Sequence, residues 1–343
     1  MTYFAGLDLS LEETSVCVLD GNGAVVREAK VSTDPDAIAS WLHESGYSAS
    51  KLGFEAGALS TWLFHELTTR GWDVVCLETR QVHQVLKAHR DKTDRGDAVG
   101  IAQLLRSGWY QSVHIKSYEA HASRALLKAR VELVRVRQDL ENTIRGLLKP
   151  FGIRLPRGDR RTLAVRVRTS CAARLALAAA TEALLQAREP VMAEIDKLET
   201  LLISIARRDE TCRRLMTVPG VGPIVALAFL SSVDDGRRFP KAREVGAYFG
   251  LTPRRHQSGE IDYQGRISKR GDRMVRTLLY EAATVLLTIV KRFSSLKSWG
   301  LRLAKRIGFK RACIALARKL AVVLTCIIKD GTEFWWSDRG ATA

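Results

Sequence analysis

The sequence predicts an N-terminal α/β domain followed by a region that is mainly helical. Up to about residue 110, short apolar segments alternate with amphipathic ones, which is typical of α/β folds. Beyond residue 120, apolar residues recur every three or four positions over long stretches, as they do in helices. The charge changes in the same place, because residues 1–115 hold 10 Lys/Arg against 15 Asp/Glu, whereas residues 116–343 hold 44 against 22.

Length and composition narrow the class of protein. A chain of 343 residues can hold two or three domains, each with its own core. No run of 18 apolar residues occurs and the first thirty residues do not resemble a secretory leader, so we expect a cytoplasmic protein with no membrane partner. The six cysteines form no CxxC pair, which favours reduced core thiols over a zinc site or disulfides.

The first elements predicted are strands. Residues 3–9, YFAGLDL, form a short apolar run that ends in a carboxylate. Residues 14–29, TSVCVLDGNGAVVREA, read as two strands joined at DGNG, where glycine and asparagine accept positive φ. These three strands form the start of a sheet.

Helices and strands then alternate. The next segment, DPDAIASWLHESG, has a capping aspartate and helical apolar spacing, and KLGFEAG is a strand that ends in Glu55. After it, STWLFHELTTRG reads as a helix, WDVVCLET as a strand and RGDAVGIAQLLRSG as a helix closed by Gly108. The order predicts an α/β sheet with strands of mixed direction.

Four carboxylates stand at the ends of these elements. Asp8 and Glu55 project from strands, while Asp94 and Asp97 lie one helical turn apart in KTDRGDA, with Lys92 and Arg95 alongside, at the start of a helix. Taken singly, each acid could be a strand-end residue or a helix N-cap. If the four converge they cannot all stay ionised without cations, so we expect two Mg²⁺ ions, for which Mn²⁺ could substitute.

This N-terminal pattern resembles a known family. An aspartate after an apolar strand, a glutamate about fifty residues later and a K-T-D-x-x-D-A motif resemble the RuvC-like (RNase H-like) domain of the DEDD transposases of bacterial insertion sequences. These are the one-ten and eleven-eleven elements, relatives of the Piv DNA invertase. The resemblance implies that Asp8, Glu55, Asp94 and Asp97 are the metal-binding catalytic carboxylates.

The middle of the chain predicts long helices. Leu126, Leu133, Leu140 and Leu147 recur every seven residues, and Pro150 ends the run. A second seam contains Val191, Ile195, Leu198, Leu202 and Ile205. Such seams form either an antiparallel hairpin within one chain or a coiled coil between chains. We therefore divide the chain into a RuvC-like domain (1–118), a helical coiled-coil region (119–208) and a C-terminal domain (209–343).

The C-terminal region contains a glycine-rich turn before an apolar helix. In LMTVPGVGPIVALAFLSSV, residues 215–233, the P-G-V-G-P turn resembles the hairpin of helix-hairpin-helix modules, whose backbone N–H groups approach a phosphate. The alternative is a tight turn that only joins two packed helices.

A basic segment follows at residues 250–283. It is punctuated by glycines and opens a helix near Asp272. We predict that its bases contact nucleic-acid phosphates, with a solvated basic loop as the alternative. The predicted nucleic-acid-binding residues are Arg254, Arg255, Arg266, Lys269, Arg270, Arg273 and Arg276.

The same segment holds the predicted nucleophile. Ser258–Gly259 by itself reads as a turn. However, VPGVGP, GLTP and SG followed by GRISKRGDRMVRTLL resemble the C-terminal transposase domain of the same family, which implies that Ser258 is the catalytic serine. Family members often have Ser-Ser-Gly, whereas this chain has Gln257 in the first place, and Ser268 is the other candidate.

The resemblance implies a transposase that cuts and rejoins DNA through a phosphoserine, with Mg²⁺ at the four carboxylates. It also implies that the partners are element-end and target DNA, a noncoding bridge RNA and further copies of the chain, as a dimer or tetramer at the bacterial nucleoid. The alternatives are a metal-dependent nuclease of the Holliday-junction-resolving type and a non-catalytic nucleic-acid scaffold. A nuclease would leave no covalent protein–DNA adduct.

Overall fold

The computed structural model describes residues 2–47, 49–87, 93–156, 162–259 and 261–336. The chain forms two compact units, Met1–Lys116 and Ser117–Ala343. The predicted helical region 119–208 therefore lies in the same compact unit as the C-terminal residues. Within the described residues, no helix has both the length and the apolar character needed to span a bilayer.

The first unit is a five-stranded sheet with helices. Its elements are β1 (Tyr3–Leu9), β2 (Glu13–Leu19), β3 (Val25–Ser32), α1 (Pro35–Glu44), β4 (Ala49–Glu55), α2 (Ser60–Thr69), β5 (Val74–Leu77), α3 (Thr79–Leu86) and α4 (Asp94–Ser107). The strand order is β3-β2-β1-β4-β5, antiparallel among β1, β2 and β3 and parallel from β1 through β4 to β5. This is the α/β sheet with strands of mixed direction that the sequence predicts, and α3 is the one helix here that its pattern did not indicate.

Local sequence signals set the boundaries of these elements. The Asp34 side chain caps α1 by accepting from the amide N–H groups of Asp36 and Ala37. At the other end of the unit, Gly108 adopts φ 68° and terminates α4, as the sequence predicts. The core of the sheet contains apolar side chains on β1, β2 and β4 that are fully buried, among them Leu7, Val18 and Phe54.

The second unit is mainly helical. Its elements are α5 (Tyr118–Leu148), α6 (Leu163–Cys171), α7 (Leu175–Arg208), α8 (Glu210–Met216), α9 (Pro223–Val233), α10 (Val245–Tyr248), β6 (Pro253–Ser258), β7 (Ile261–Ile267), α11 (Arg273–Thr288), α12 (Ser295–Ile307) and α13 (Phe309–Asp330). The core joins apolar faces of α8, α9, α11 and α13. A mainly helical C-terminal region is confirmed, although β6 and β7 form a hairpin where the sequence indicated an irregular basic segment.

The two longest helices, α5 and α7, pack against each other within the chain. Arg130 pairs with Glu199, and Glu141 pairs with Arg188 at 3.0 Å, so residue numbers fall along α7 as they rise along α5. The helices are therefore antiparallel, which agrees with the intrachain alternative for the predicted seams. A coiled coil between chains stays a prediction.

The register of α5 differs from the predicted leucine seam. Leu127 and Leu148 are buried, as is Ile144, whereas Leu147 is 39% exposed. The buried face thus runs one residue later than Leu126, Leu133, Leu140 and Leu147. Its central positions carry charge, because Arg137 and Glu141 are buried there beside Arg188 of α7.

The P-G-V-G-P turn joins α8 to α9 and packs against α11. Gly220 has φ 89°, and a Cβ at this position would run into the carbonyl oxygen of Ala282 and lie 3.2 Å from Leu286 Cβ. Glycine is therefore required for close packing between the turn and α11. This agrees with the tight-turn alternative, and a phosphate contact at the turn stays a prediction.

The cysteines lie where reduced core thiols would. All six are free, and five are buried. Burial raises the pKa of the Cys17 and Cys76 thiols to about 11, so both stay protonated at neutral pH.

Candidate active site

Asp8 and Glu55 lie side by side at the carboxyl ends of two neighbouring parallel strands. Leu7 on β1 is paired with Phe54 on β4, so the next residue on each strand is one of these two acids. Both acids line a cleft of about 330 Å³ together with the residues that follow them. The structure therefore brings together the two predicted carboxylates that come from strands.

Two glycines show which face of the sheet these acids occupy. A Cβ at Gly6 would lie 2.5 Å from the backbone nitrogen of Ala102, and one at Gly53 would lie 2.8 Å from the side chain of Leu105. Both positions therefore face α4. Because side chains alternate along a strand, Asp8 and Glu55, two residues further on, point to the same face.

Asp94 and Asp97 lie in the first turn of α4. The N-cap of this helix is Thr93, whose side chain accepts from the amide of Gly96 at 3.0 Å. Neither aspartate is the cap, so that alternative does not explain the pair. Carboxylates are favoured in the first turn because the helix dipole is positive there. Lys92, the first residue of the motif, lies outside the described residues.

Lys30 of β3 links Asp94 to the sheet. Asp8 is paired with Ser15 on β2, and Ser15 is paired with Lys30, so the three form one row across the sheet. The Lys30 ammonium donates to Asp94 Oδ2 at 3.0 Å. This hydrogen bond, together with nearby carboxylates including Asp8, raises the pKa of Lys30. Sequence reasoning missed Lys30, since its partner is 64 residues away.

A second ion pair joins the same two elements. The guanidinium of Arg95 pairs with Glu28 of β3 at 2.6 Å. The start of α4 is thus tied to β3 at two neighbouring points, one of which uses a predicted metal ligand.

The carboxylates suit a hydrated divalent cation. Mg²⁺ is commonly held by one or two carboxylates, water and substrate phosphates, and the cleft lined by Asp8 and Glu55 offers that donor set. Over the described ranges no group of three or more His, Cys, Asp or Glu side chains is gathered closely enough to hold a metal. Convergence of all four carboxylates on one pair of ions therefore stays a prediction.

Ser258 lies at the tip of the β6–β7 hairpin. It is paired with Ile261 across the turn, and Gly259 adopts φ 54°. Every residue of β6 is exposed, so the hydroxyl is carried on an open two-stranded arm. Ser268 lies instead at the root of the arm, where its amide donates to the Thr252 carbonyl at 2.8 Å.

Three of the predicted phosphate-binding bases hold the hairpin and its root. Arg255 makes a bidentate pair with Asp262 on the opposite strand, at 2.9 and 2.6 Å, which raises the pKa of Arg255 and lowers that of Asp262. Arg254 donates to the Ser268 carbonyl at 3.2 Å. Arg276 donates to the carbonyls of Phe249 and Arg270 at 3.0 and 2.9 Å.

The other four predicted bases are exposed, as Arg254 and Arg255 are. These four are Arg266, Lys269, Arg270 and Arg273. The helix that follows them is anchored by Asp272, which caps α11 and pairs with Arg124 of α5 at 2.6 Å. A helix start near Asp272 was predicted from sequence, whereas the partner, almost 150 residues earlier, had no sequence signal.

Comparisons with known proteins agree with this architecture. Residues 5–152 match the family model DEDD_Tnp_IS110, described as "Transposase", and residues 212–297 match the model described as "Transposase IS116/IS110/IS902 family". The "Transposase for insertion sequence element IS1111A" of Coxiella burnetii is 31% identical over 94% of this chain and 88% of its own length. A "Probable family 20 transposase" of Pseudomonas aeruginosa is 31% identical over 82% and 84%.

Two further matches cover less of the chain. The "Pilin gene-inverting protein" of Moraxella bovis is 30% identical over 35% of this chain and 37% of its own length. The solved structure of Thermus thermophilus RuvC covers 33% of this chain and 100% of its own at 16% identity, with a TM-score of 0.26.

Matches at both ends, together with relatives that align over most of the chain, define a DNA-processing enzyme of mobile elements. The chain belongs to the IS116/IS110/IS902 family of insertion-sequence transposases.

Proposed function

We propose that this transposase cuts and rejoins DNA through a covalent phosphoserine at Ser258. The observation that carries the proposal is the exposure of this hydroxyl at the tip of a projecting arm, where a DNA strand can reach it. A recombinase must conserve the energy of the broken phosphodiester, and an ester to serine does so.

The reaction needs no energy-supplying cofactor, because each phosphorus–oxygen bond that breaks is replaced by a new one. Ser258 Oγ attacks the phosphorus, a serine–phosphate bond forms, and the bond from phosphorus to the 3′ oxygen breaks. The serine proton passes to a carboxylate or water, and the leaving oxygen takes up a proton. In rejoining, a 3′-OH attacks the phosphoserine and restores the serine hydroxyl.

Asp8, Glu55, Asp94 and Asp97 would hold Mg²⁺ or Mn²⁺. When bound, the metal supplies charge that stabilises the phosphoryl-transfer transition state. The placement of Asp8 and Glu55 in one cleft supports this assignment. Of the predicted bases, Arg266, Lys269, Arg270 and Arg273 would contact phosphates near the serine, since they are exposed and the contacts that hold the hairpin use Arg254, Arg255 and Arg276.

We also propose the partners that the family implies. These are element-end and target DNA, a bridge RNA that pairs with both, and a dimer or tetramer of the chain acting at the bacterial nucleoid. The excess of bases over residues 116–343 supports binding to nucleic acid.

Covalent trapping tests the reaction. The protein is incubated with element-end DNA, element-derived RNA and Mg²⁺, then denatured and examined for DNA-linked protein. Wild type and Ser268→Ala should form the adduct, whereas Ser258→Ala and Asp8→Asn should not. DNA cut without an adduct, or an adduct that persists in Ser258→Ala, would show that the serine mechanism is wrong.

A further inference from the structure

A groove beside the root of the serine hairpin is lined by apolar side chains and by four basic ones, three from α13 and one from the segment just before α10. Arg243, Arg311, Arg318 and Lys319 line it, and we call it the basic groove. Its volume is about 440 Å³, and its walls include Pro253 and Ile267, the first residue of β6 and the last of β7. The groove therefore begins where the arm that carries Ser258 leaves the helical body.

The sequence around the groove has an extreme charge pattern. Residues 295–328, which cover α12 and most of α13, contain eight Lys/Arg and no Asp or Glu. No acidic side chain on these two helices can therefore neutralise the groove, apart from Asp330 at the far end of α13. Such a stretch is an electrostatic footprint typical of a surface that binds a polyanion.

The four bases in the groove contrast with others in this unit. Arg124, Arg130 and Arg255 each pair with a carboxylate. Among the ion pairs of the described residues, none involves Arg243, Arg311, Arg318 or Lys319. Four like charges around one concave surface repel one another, and an anion would relieve that repulsion.

Two of these side chains are also held in place by packing. The Lys319 ammonium lies 4.5 Å from the ring centroid of Trp299, and the Arg318 stem lies so close to Gly246 that a Cβ there would be 3.1 Å from it. Contacts of this kind reduce the entropy lost when a cation binds a ligand. The groove is thus partly organised before anything binds.

We propose that the basic groove binds the phosphodiester backbone of a nucleic-acid strand. The paired N–H groups of an arginine guanidinium match the geometry of a phosphate. Several cations along one groove also fit a chain of phosphates better than they fit a single small anion. Binding in the groove does not depend on the serine chemistry. If the proposed function holds, the groove also determines which phosphate of the bound strand lies at Ser258. The reason is that β6 spans about 17 Å from root to tip, or about five phosphate steps along a duplex strand.

The test measures the salt dependence of binding without metal, so that cleavage does not enter. Fluorescence anisotropy in EDTA is recorded from low to moderate salt for duplex DNA, single-stranded DNA and element-derived RNA. Arg311→Gln combined with Lys319→Gln should weaken binding and lower the slope of log K against log salt by about 1.8 for duplex DNA, or about 0.9 per lost phosphate contact. The probe whose slope falls most identifies the strand that the groove holds.

Two matched variants make the test specific. Arg207→Gln with Arg208→Gln removes the same charge from the exposed end of α7 and should leave the slope near the wild-type value. Arg311→Lys with Lys319→Arg keeps the charge and should retain the slope, while thermal melting checks that each variant is folded. Equal loss in the α7 control, or no loss with any probe in the groove variant, would overturn the proposal. The trapping assay would still test the serine mechanism independently of this result.

Discussion

The Lys30 ammonium lies 3.0 Å from Asp94 Oδ2, so a cation of the chain itself neutralises one of the predicted metal ligands. The two side chains are 55% and 67% exposed, and a pair so open to water is weak and easily exchanged. Lys30 also shares a row of the sheet with Asp8. A divalent ion that uses Asp94 must therefore compete with Lys30.

The first prediction follows from this competition. Lys30→Met should bind Mn²⁺ about two- to fivefold more tightly at low salt, because the carboxylate loses a competing charge of the strength of an exposed pair. Titration calorimetry measures the affinity directly. Arg95→Met is the matched control, since it removes the other ion pair between β3 and α4, whose acid Glu28 is not a predicted ligand. Equal or weaker Mn²⁺ binding in Lys30→Met would contradict the competition.

The second prediction concerns the contact between α4 and the sheet. Gly6→Ala should destabilise the first unit by about 2 kcal/mol or more, because a Cβ there would lie 2.5 Å from the backbone of Ala102 and neither backbone can yield cheaply. Urea unfolding followed by circular dichroism measures the loss. Gly21→Ala is the control, since the nearest atom to a Cβ there is 3.8 Å away. A Gly6→Ala protein as stable as the control would show that α4 is not packed this closely.

Sequence periodicity predicts the first unit well because its signals are local. Apolar runs fix the strands, and Asp34 and Gly108 mark helix ends by their own backbone preferences. The contacts that complete the site are not local. Lys30 lies 64 residues from Asp94, and only the pairing of β2 with β3 places it beside the acids.

Two other features escaped the sequence for different physical reasons. The first strand of the β6–β7 arm, PRRHQS, is polar at nearly every position and gives no strand signal, so the apolar–polar alternation of β7, IDYQGRI, has no predicted partner. In α5, adjacent apolar residues such as Leu126–Leu127 and Leu147–Leu148 fit two registers one residue apart. The ion pair of Glu141 with Arg188 lies in the register that is buried.

The third prediction separates structural from nucleic-acid-binding arginines. Arg276→Gln should lower stability by about 1–3 kcal/mol, because the carbonyls of Phe249 and Arg270 lose their donor, while the salt slope of nucleic-acid binding stays unchanged. Arg273→Gln, at an exposed position three residues earlier, should do the reverse. Thermal melting and anisotropy on the same samples measure both effects. A lower salt slope in Arg276→Gln would return this residue to the phosphate-binding set.

The fourth prediction is a pH dependence at Asp272. Although burial raises the pKa of this carboxyl, Arg124 and the amides of Val275 and Met274 lower it more, so its pKa lies below the usual range. The stabilisation is therefore complete above the unfolded-state pKa of about 4 and is lost as the pH falls through the folded-state value. Asp272→Asn should lose on the order of 3 kcal/mol at pH 7, since it leaves Arg124 without its charged partner, and should lose less below pH 4.

Melting temperatures at pH 7 and pH 3.5 measure this difference, with Asp139→Asn on the exposed face of α5 as the control. The gap between wild type and Asp272→Asn should narrow at the lower pH, while the control follows wild type at both. Asparagine and protonated aspartic acid are both uncharged, so a gap that is the same at both pH values would show that the negative charge of Asp272 does not stabilise the fold. In that case the pair with Arg124 would contribute nothing to holding α11 against α5.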